Sequence, residues 1–282
     1  MSFPPRLIII GAQKAGTTTL AALLGQHPDM ALGHKKEQHF YTAHWHEGFD
    51  WYRQHYTDTA VPWLIDASPS YTAGYRDKET GQPLPIAQRI ADAVPDARLI
   101  YLMRDPVKRA WSSYWHDTRF GNQRRSPEEA LTTESTYIRQ GFYDEQLEAY
   151  LAAFPREHIL LLLFEEFVGD QQGTVDRVCD FIGVSRLTLA TGDSRKNAGF
   201  RYSPAMDMVR RLFPNDRAFA NAISFVKRLV PRALRSSASR LVMQDIPAMS
   251  EGLKQDLAVI FEPHNRRLEA MTGLAFNWTR PS

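Results

Sequence analysis

Residues 7–20, LIIIGAQKAGTTTL, form a hydrophobic segment that passes through a glycine-framed loop into three threonines. The apolar run predicts a buried strand, and the threonines predict the first turn of a helix. Such a loop turns successive backbone N–H groups inward, and the helix N-terminus adds about half a positive charge. Lys14 contributes a formal charge, and the threonine hydroxyls contribute donors. The segment therefore predicts a phosphate-binding site between a strand and a helix.

This loop keeps the glycine spacing of a nucleotide-binding Walker loop, GxxxxGK[ST], without its lysine. Gly11 and Gly16 are correctly spaced, but Thr17 occupies the lysine position and the lysine of the loop is Lys14. No clear acidic partner for magnesium is evident either. A small-molecule or nucleotide kinase that uses this loop is an alternative, but the departure favours a different phosphorylated ligand.

Short apolar segments alternate with helical patterns along the first two-thirds of the chain. We predict strands over 6–10, 63–66, 97–103 and 158–164, and helices from near Thr17 and over 107–116, 143–154 and 173–182. Strands that alternate with helices are typical of a parallel sheet covered on both faces. The pattern therefore predicts an α/β fold, a three-layer α/β/α arrangement of the P-loop type with a central parallel sheet.

The C-terminal third has a different pattern, because the strand signal disappears beyond residue 197. Ser203 followed by Pro204 is typical of a helix start. The segment 254–271 predicts a last helix that ends at Thr272-Gly273, although Pro263 should kink or divide it. We expect a single domain over 1–282, with an α/β core over 1–194 and a basic loop and C-terminal helices over 195–282.

Charge is distributed unevenly along the chain. The net charge is only +2, yet residues 195–240 contain eleven Lys or Arg against two acidic residues, Asp207 and Asp216. Such a segment predicts an anionic partner or a membrane surface. Nucleic acid is a poor fit, because no nucleic-acid-reading motif accompanies the charge.

Cysteine content and hydropathy bear on the compartment. The single cysteine, Cys179, allows no internal disulfide. The longest apolar run, 159–164, is far shorter than the roughly 20 residues that span a bilayer, and the first residues lack the pattern of a secretory signal. We therefore expect a cytoplasmic protein.

Several motifs resemble those of sulfotransferases that use 3′-phosphoadenosine 5′-phosphosulfate. GAQKAGTTTL (11–20) resembles their 5′-phosphosulfate loop. YLMRDPVKRAWSSYWH (101–116) is similar to their second signature, an arginine at a strand end with a serine eight residues later. KKEQHFY (35–41) and DASPSY (66–71) resemble segments of the heparan-sulfate type, and 141–167 and 268–278 resemble later blocks. The chain is identified as a member of the heparan-sulfate-type branch, similar to N- and 3-O-sulfotransferases and of bacterial type.

The resemblance implies transfer of a sulfuryl group from this donor to a hydroxyl or amine without a metal. It implies that Glu37 is the general base, a role that suits a carboxylate if partial burial raises its pKa. His39 remains the alternative base, since histidine titrates near neutral pH. Lys14 would stabilise the negative charge that develops on the departing bisphosphate.

The donor carries a 3′-phosphate in addition to its 5′-phosphosulfate, so a second anion site is required. Arg104 at a strand end and Ser112 in the next helix can bind that phosphate by charge-assisted hydrogen bonds. The predicted donor-binding set is Gln13, Lys14, Ala15, Gly16, Thr17, Thr18, Thr19, Arg104, Ser112, Lys196 and Arg201.

Two departures from the heparan-sulfate type put heparan itself in doubt as the acceptor. Ala67 stands where many members have a lysine, and RKNAGFRY (195–202) offers Lys196 and Arg201 without the family's spacing or its two flanking cysteines. The acceptor is therefore expected to be a carbohydrate, a glycolipid or a small metabolite. A non-catalytic nucleotide-binding or lipid-surface module is a further alternative.

Two other segments have competing interpretations. The rest of the basic segment after Tyr202 is either a solvated helical face, a mobile lid, an anionic acceptor site or a contact with a lipid surface. For HWH (44–46) we favour an aromatic lining of the acceptor cleft over a metal site. For Trp45, Trp51 and Tyr52 we favour core packing over sugar stacking.

Overall fold

A parallel sheet of five strands forms the centre of the molecule. The computed structural model describes residues 3–57, 60–76, 80–189, 200–202 and 243–282, together with five isolated positions between 209 and 222. The strand order is β2-β3-β1-β4-β5. The strands are β1 (Leu7–Gly11), β2 (Met30–Leu32), β3 (Trp63–Asp66), β4 (Arg98–Met103) and β5 (Ile159–Leu163).

The four predicted strands are confirmed to within one or two residues, and so is the α/β class with a parallel sheet. Every residue of β1 is buried, because helices cover both faces of the sheet. The short strand β2 was not predicted, since three residues are too few to show a period. From β1 the sheet grows through β3 and β2 on one side and through β4 and β5 on the other. The end of β1 is therefore a topological switch point, where ligands of such folds bind.

Helices surround this sheet and account for about half of the remaining described residues. The four predicted helices of the core are confirmed as α1, α5, α8 and α10. The helices are α1 (Thr17–Leu24), α2 (Phe40–Ala43), α3 (Gly48–Arg53), α4 (Ile86–Ala93), α5 (Pro106–Arg119), α6 (Pro127–Ala130), α7 (Thr136–Arg139), α8 (Tyr143–Ala153), α9 (Phe164–Gly169), α10 (Gln171–Ile182) and α11 (Glu251–Thr272), with 3₁₀ turns at Trp45–Glu47, Pro69–Thr72 and Arg156–His158.

The C-terminal part contains a strand pair, so the expectation that strands end at residue 197 is wrong. Strand β6 (Phe200–Tyr202) pairs in antiparallel fashion with β7 (Met243–Asp245). Each strand has three residues, too short to produce a periodic signal. The helix start predicted at Ser203-Pro204 lies outside the described residues.

Helix α11 is confirmed, and Pro263 does not divide it. Ser250 caps its N-terminus through a hydrogen bond from the Leu253 amide, and Gly273 ends it in the left-handed conformation with φ 69°. Helix α11 packs against α8 and α5, and its buried face includes Phe261. This packing holds the helix continuous although proline removes one backbone hydrogen bond.

The aromatic cluster near residue 50 belongs to the core, as predicted for Tyr52. The rings of Phe40 and Tyr52 stack with centroids 4.1 Å apart, and Tyr52 is fully buried. Trp45 and Trp51 are partly buried and pack on the same cluster. A role for residues 44–46 in an acceptor cleft stays a prediction. None of the helices in the described ranges combines the length and the apolar character that crossing a bilayer requires.

Candidate functional site

The predicted phosphate loop connects β1 to α1 at the switch point of the sheet. The Ala12 amide donates to the Leu102 carbonyl of β4 at 2.7 Å, and the Ala15 amide donates to the Ala12 carbonyl at 3.1 Å. Gly16 has φ 90°, and a Cβ at this position would lie 3.0 Å from the Phe164 ring. The loop therefore requires glycine here for both its backbone conformation and its close packing.

Within the described part of the chain, no side chain caps the N-terminus of α1. Thr17, the first residue of the helix, is buried, whereas Thr18 is exposed and Thr19 is half-buried. Here the Thr19 amide donates to the Gly16 carbonyl at 3.0 Å. The amides that precede it lie at the start of the helix, where the helix dipole places partial positive charge. These donors at the end of the loop suit an anion.

Several cations lie close together around this loop. Arg104 Nη1 donates to the Lys14 carbonyl at 3.0 Å, and its guanidinium lies over the Phe164 ring. Among the described residues, the buried Nε of Arg104 has no hydrogen-bond partner. Burial, followed by the charges of Arg119 and Arg104, lowers the pKa of Lys14 to about 8. The site is thus electropositive, and a bound anion would relieve the repulsion within it.

Arg104 and Ser112, predicted to act together, line one cavity of about 580 Å³. The cavity lies between α5 and the C-terminal segment, and Lys108, Lys254 and Thr279 line it as well. Gln13 lies nearby, since Ser113 Oγ donates to its Oε1 at 3.3 Å. Of the other predicted donor residues, Ala15 is fully buried in the loop. Lys196 lies outside the described residues, and only the backbone of Arg201, in β6, is described.

The side chain of Lys36 connects Glu37 to the start of the helix that follows the phosphate loop. Lys36 Nζ donates to Glu37 Oε1 at 2.7 Å and to Thr17 Oγ1 at 3.1 Å. His39 Nε2 is 3.4 Å from Glu37 Oε2. Burial acts to raise the pKa of Glu37, but the hydrogen bond from His39 and the charge of Lys36 outweigh it and lower the pKa to about 2. The expected upward shift is therefore wrong, because the sequence did not show that both neighbours contact the carboxylate.

A buried network of hydrogen-bonded hydroxyl groups holds the backbone of His39. His39 has a left-handed backbone conformation with φ 55°, and its amide donates to Ser68 Oγ at 3.1 Å. The Ser68 hydroxyl donates to the fully buried Asp66 at 2.6 Å, and the Tyr52 and Tyr71 hydroxyls donate to the same carboxylate. Burial raises the pKa of Asp66 despite these donors. The network fixes the backbone at His39.

Three side chains that shape the site, Lys36, His116 and Arg119, were not predicted from the sequence. Lys14 Nζ and Arg119 Nη2 each lie 3.2 Å from His116 Nδ1. Burial and the charges of Lys14 and Arg119 lower the pKa of His116 to about 4, so its neutral ring accepts from the lysine. His116 lies one helical turn after Ser112 on the same face of α5, so the predicted role of Ser112 could have indicated that His116 also faces the site.

Comparison with known proteins agrees with this geometry. The family model described as "Sulfotransferase family" matches residues 30–188. Heparan sulfate glucosamine 3-O-sulfotransferase 6 of Mus musculus is 30% identical over 285 residues, which cover 97% of this chain and 73% of that protein. Bifunctional heparan sulfate N-deacetylase/N-sulfotransferase 1 of Mus musculus is 27% identical over 219 residues, 70% of this chain and 23% of that protein.

A solved structure, that of a sulfotransferase from Alicyclobacillus acidocaldarius, has the same fold. Its TM-score is 0.68 at 25% identity, and the match covers 96% of this chain and 97% of that one. The family model, the named relatives and this fold agree with one another. The chain belongs to the sulfotransferase family.

Proposed function

We propose that this protein transfers a sulfuryl group from 3′-phosphoadenosine 5′-phosphosulfate to a hydroxyl or amine, with Glu37 as the general base. One observation carries the proposal: Lys36 Nζ contacts both Thr17, at the start of the phosphate-loop helix, and Glu37. A carboxylate is thereby held beside the predicted position of the donor. Membership of the sulfotransferase family favours this reaction over the kinase and the non-catalytic module.

The residues present fit a donor that carries two anionic groups. The uncapped start of α1 and Lys14 would bind the 5′-phosphosulfate. Arg104 and Ser112 would bind the 3′-phosphate from the cavity that they share. Arg104 also donates to the Lys14 carbonyl, so one side chain connects the two subsites. Lys108 and Lys254 add positive charge at the wall of that cavity.

In the transfer, the acceptor oxygen or nitrogen forms a bond to sulfur while the bond from sulfur to the bridging phosphate oxygen breaks. The bridging oxygen gains negative charge, which Lys14 and the dipole of α1 would stabilise. The proton of the acceptor passes to a carboxylate oxygen of Glu37. These groups act where charge develops, and this is how an active site accelerates the step.

A carboxylate with a pKa of about 2 is a weak base, so the bound donor has to raise the pKa of Glu37. The ammonium of Lys36 is shared between Thr17 and Glu37 in the free protein. An anion at the loop attracts the same ammonium and adds negative charge near the carboxylate. Both effects raise the pKa of Glu37 and strengthen the base in the donor complex.

Calorimetry and a glutamate variant test the donor and the base separately. We expect 3′,5′-adenosine bisphosphate to bind much more tightly than ATP, and equal affinities would refute the donor. Glu37→Gln should abolish transfer and keep bisphosphate binding, because the glutamine side chain keeps the shape of glutamate but cannot accept the proton. The matched control is Glu47→Gln on the exposed turn Trp45–Glu47. An active Glu37→Gln variant would refute the base assignment.

The named relatives support a carbohydrate acceptor, and we propose a carbohydrate or glycolipid. Transfer of radiolabel from the donor should be measured first with heparan sulfate and then with glycolipid and small-metabolite extracts. Label in a non-carbohydrate product alone would refute the proposed acceptor class.

We further propose a cytoplasmic location. Membrane contact through residues 195–240 stays a prediction, because nearly all of that segment lies outside the described residues.

A further inference from the structure

The ring of His39 lies between two oxygen atoms of different character. Its Nδ1 is 2.8 Å from Ser70 Oγ, and its Nε2 is 3.4 Å from Glu37 Oε2. Ser70 is buried, whereas the imidazole is about one-third exposed. A neutral imidazole carries its proton on one nitrogen and a lone pair on the other. The two neighbours therefore determine which nitrogen carries the proton.

The carboxylate of Glu37 determines whether His39 Nε2 carries a proton. Glu37 is ionised at neutral pH and only accepts hydrogen bonds, since its pKa is about 2. A proton on His39 Nε2 therefore makes a favourable contact with Oε2, whereas a lone pair at Nε2 would face the negative carboxylate. The Nε2 proton leaves a lone pair at Nδ1 of the neutral ring.

Ser70 accounts for the lone pair at His39 Nδ1, because its hydroxyl can donate a hydrogen bond to it. The neighbouring hydroxyl of Thr42 donates to the His39 carbonyl at 3.0 Å, so its proton is engaged. Thr42 Oγ1 is 3.4 Å from Ser70 Oγ, further away than His39 Nδ1. The Ser70 hydroxyl therefore donates its proton to His39 Nδ1, which is the nearer of the two atoms.

We propose that Ser70 is a positioning residue that donates to His39 Nδ1 and thereby fixes the neutral Nε2–H tautomer, which orients Glu37 and prevents His39 from serving as the base. The inference rests on the proposed function, in which Glu37 receives the proton. It deepens that function because it assigns separate roles to the two candidate bases.

The backbone of His39 does not depend on Ser70. The His39 amide donates to Ser68, which Asp66 holds in turn. Loss of the Ser70 hydroxyl should therefore release the ring while the left-handed backbone conformation remains. This separation allows a positioning role to be distinguished from a structural one.

Nuclear magnetic resonance tests the proposal without a known acceptor. In long-range ¹H–¹⁵N spectra of the full chain at pH 8, we expect His39 to carry a proton on Nε2 and none on Nδ1. A proton on Nδ1, alone or with one on Nε2, would overturn the proposal. This measurement needs no variant and no turnover.

Ser70→Ala should produce a mixture of His39 tautomers and raise the Glu37 pKa measured by ¹³C titration of its carboxyl carbon. With heparan sulfate as the acceptor probe, kcat should fall about tenfold, because loss of the carboxylate orientation outweighs its higher basicity, while the KM for the donor stays constant. The control is Ser185→Ala, an exposed serine whose carbonyl contacts His27. Unchanged tautomer and titration in Ser70→Ala would overturn the proposal. An active Glu37→Gln variant would instead refute the base and leave the tautomer result standing.

Discussion

The charged side chains of the site change one another's proton affinity because they lie close together. Burial and the neighbouring cations lower the pKa of Lys14 to about 8 and that of His116 to about 4. Lys36 and His39 lower the pKa of Glu37 to about 2. Each of these shifts depends on the charge of a neighbour. An anion that binds among these groups must therefore change their protonation.

The lowered pKa of Lys14 predicts proton uptake when the donor product binds. Above pH 8 much of the free protein has a neutral Lys14, and a phosphate beside it restores the charge. Calorimetry of 3′,5′-adenosine bisphosphate at pH 9, in two buffers of different ionisation enthalpy, should show uptake of a fraction of a proton. Lys14→Met should remove the uptake, whereas Lys35→Met, at an exposed neighbouring lysine, should keep it. Equal binding enthalpies in both buffers would contradict this assignment.

Lys36→Met should raise the pKa of Glu37, because it removes both the charge and the hydrogen bond of the ammonium. A base acts in its deprotonated form, so a higher pKa moves the acidic limb of the kcat/KM profile to higher pH. Because the pKa of Glu37 in the wild type is about 2, ¹³C titration of its carboxyl carbon checks the shift directly, and the rate of sulfuryl transfer to heparan sulfate from pH 4 to 8 shows whether the acidic limb has entered that range. Lys35→Met serves as the charge-matched control. An acidic limb at the same pH in both variants would show that Lys36 does not control this carboxylate.

At the scale of elements, the site is assembled from the ends of parallel strands and the starts of the helices that follow. The loop after β1 and the start of α5 after β4 were predictable, since each motif is continuous in the sequence. Arg104 and Ser112 were predictable as a pair for the same reason. The contact from Lys36 to Thr17 was not, because it joins residues 19 positions apart. Its effect on Glu37 reversed the expected pKa shift.

Asp105 connects the start of α5 to the C-terminal segment. Its Oδ1 accepts from the amides of Val107 and Lys108, and its Oδ2 accepts from the Thr279 amide at 3.1 Å and the Thr279 hydroxyl at 2.6 Å. Arg104 precedes it in the chain. The carboxylate thus holds a helix start and one wall of the cavity in place.

Asp105→Ala should lower stability by about 2 kcal/mol through loss of the helix cap, and it should weaken bisphosphate binding through the displaced cavity wall. Thermal unfolding and calorimetry measure the two effects. Ser126→Ala is the matched control, because it removes the cap of the exposed helix α6. That control should reduce stability and keep the affinity. Full affinity in Asp105→Ala would show that this wall does not contribute to donor binding.

At the scale of the whole molecule, the C-terminal helix packs on the α/β core through apolar and charged contacts. Phe261 of α11 is fully buried against Phe142. His264 stacks on the same phenylalanine, and its Nδ1 lies 2.9 Å from the buried carboxylate of Asp144 in α8. The sequence predicted α11 from its apolar spacing, but it did not show which helices pack against it. A single domain over 1–282 stays a prediction.

A single domain should unfold in one transition, and a cavity at the α11 contact should destabilise the whole unit. Phe261→Ala is expected to cost about 3 to 5 kcal/mol, because the ring is fully buried between α11 and the core. Calorimetric unfolding should show one transition in the wild type and in the variant, displaced to lower temperature in the latter. Val259→Ala, at an exposed position of the same helix, should leave the transition nearly unchanged. Two separate transitions, with only one displaced by Phe261→Ala, would mean that the C-terminal part is a domain of its own.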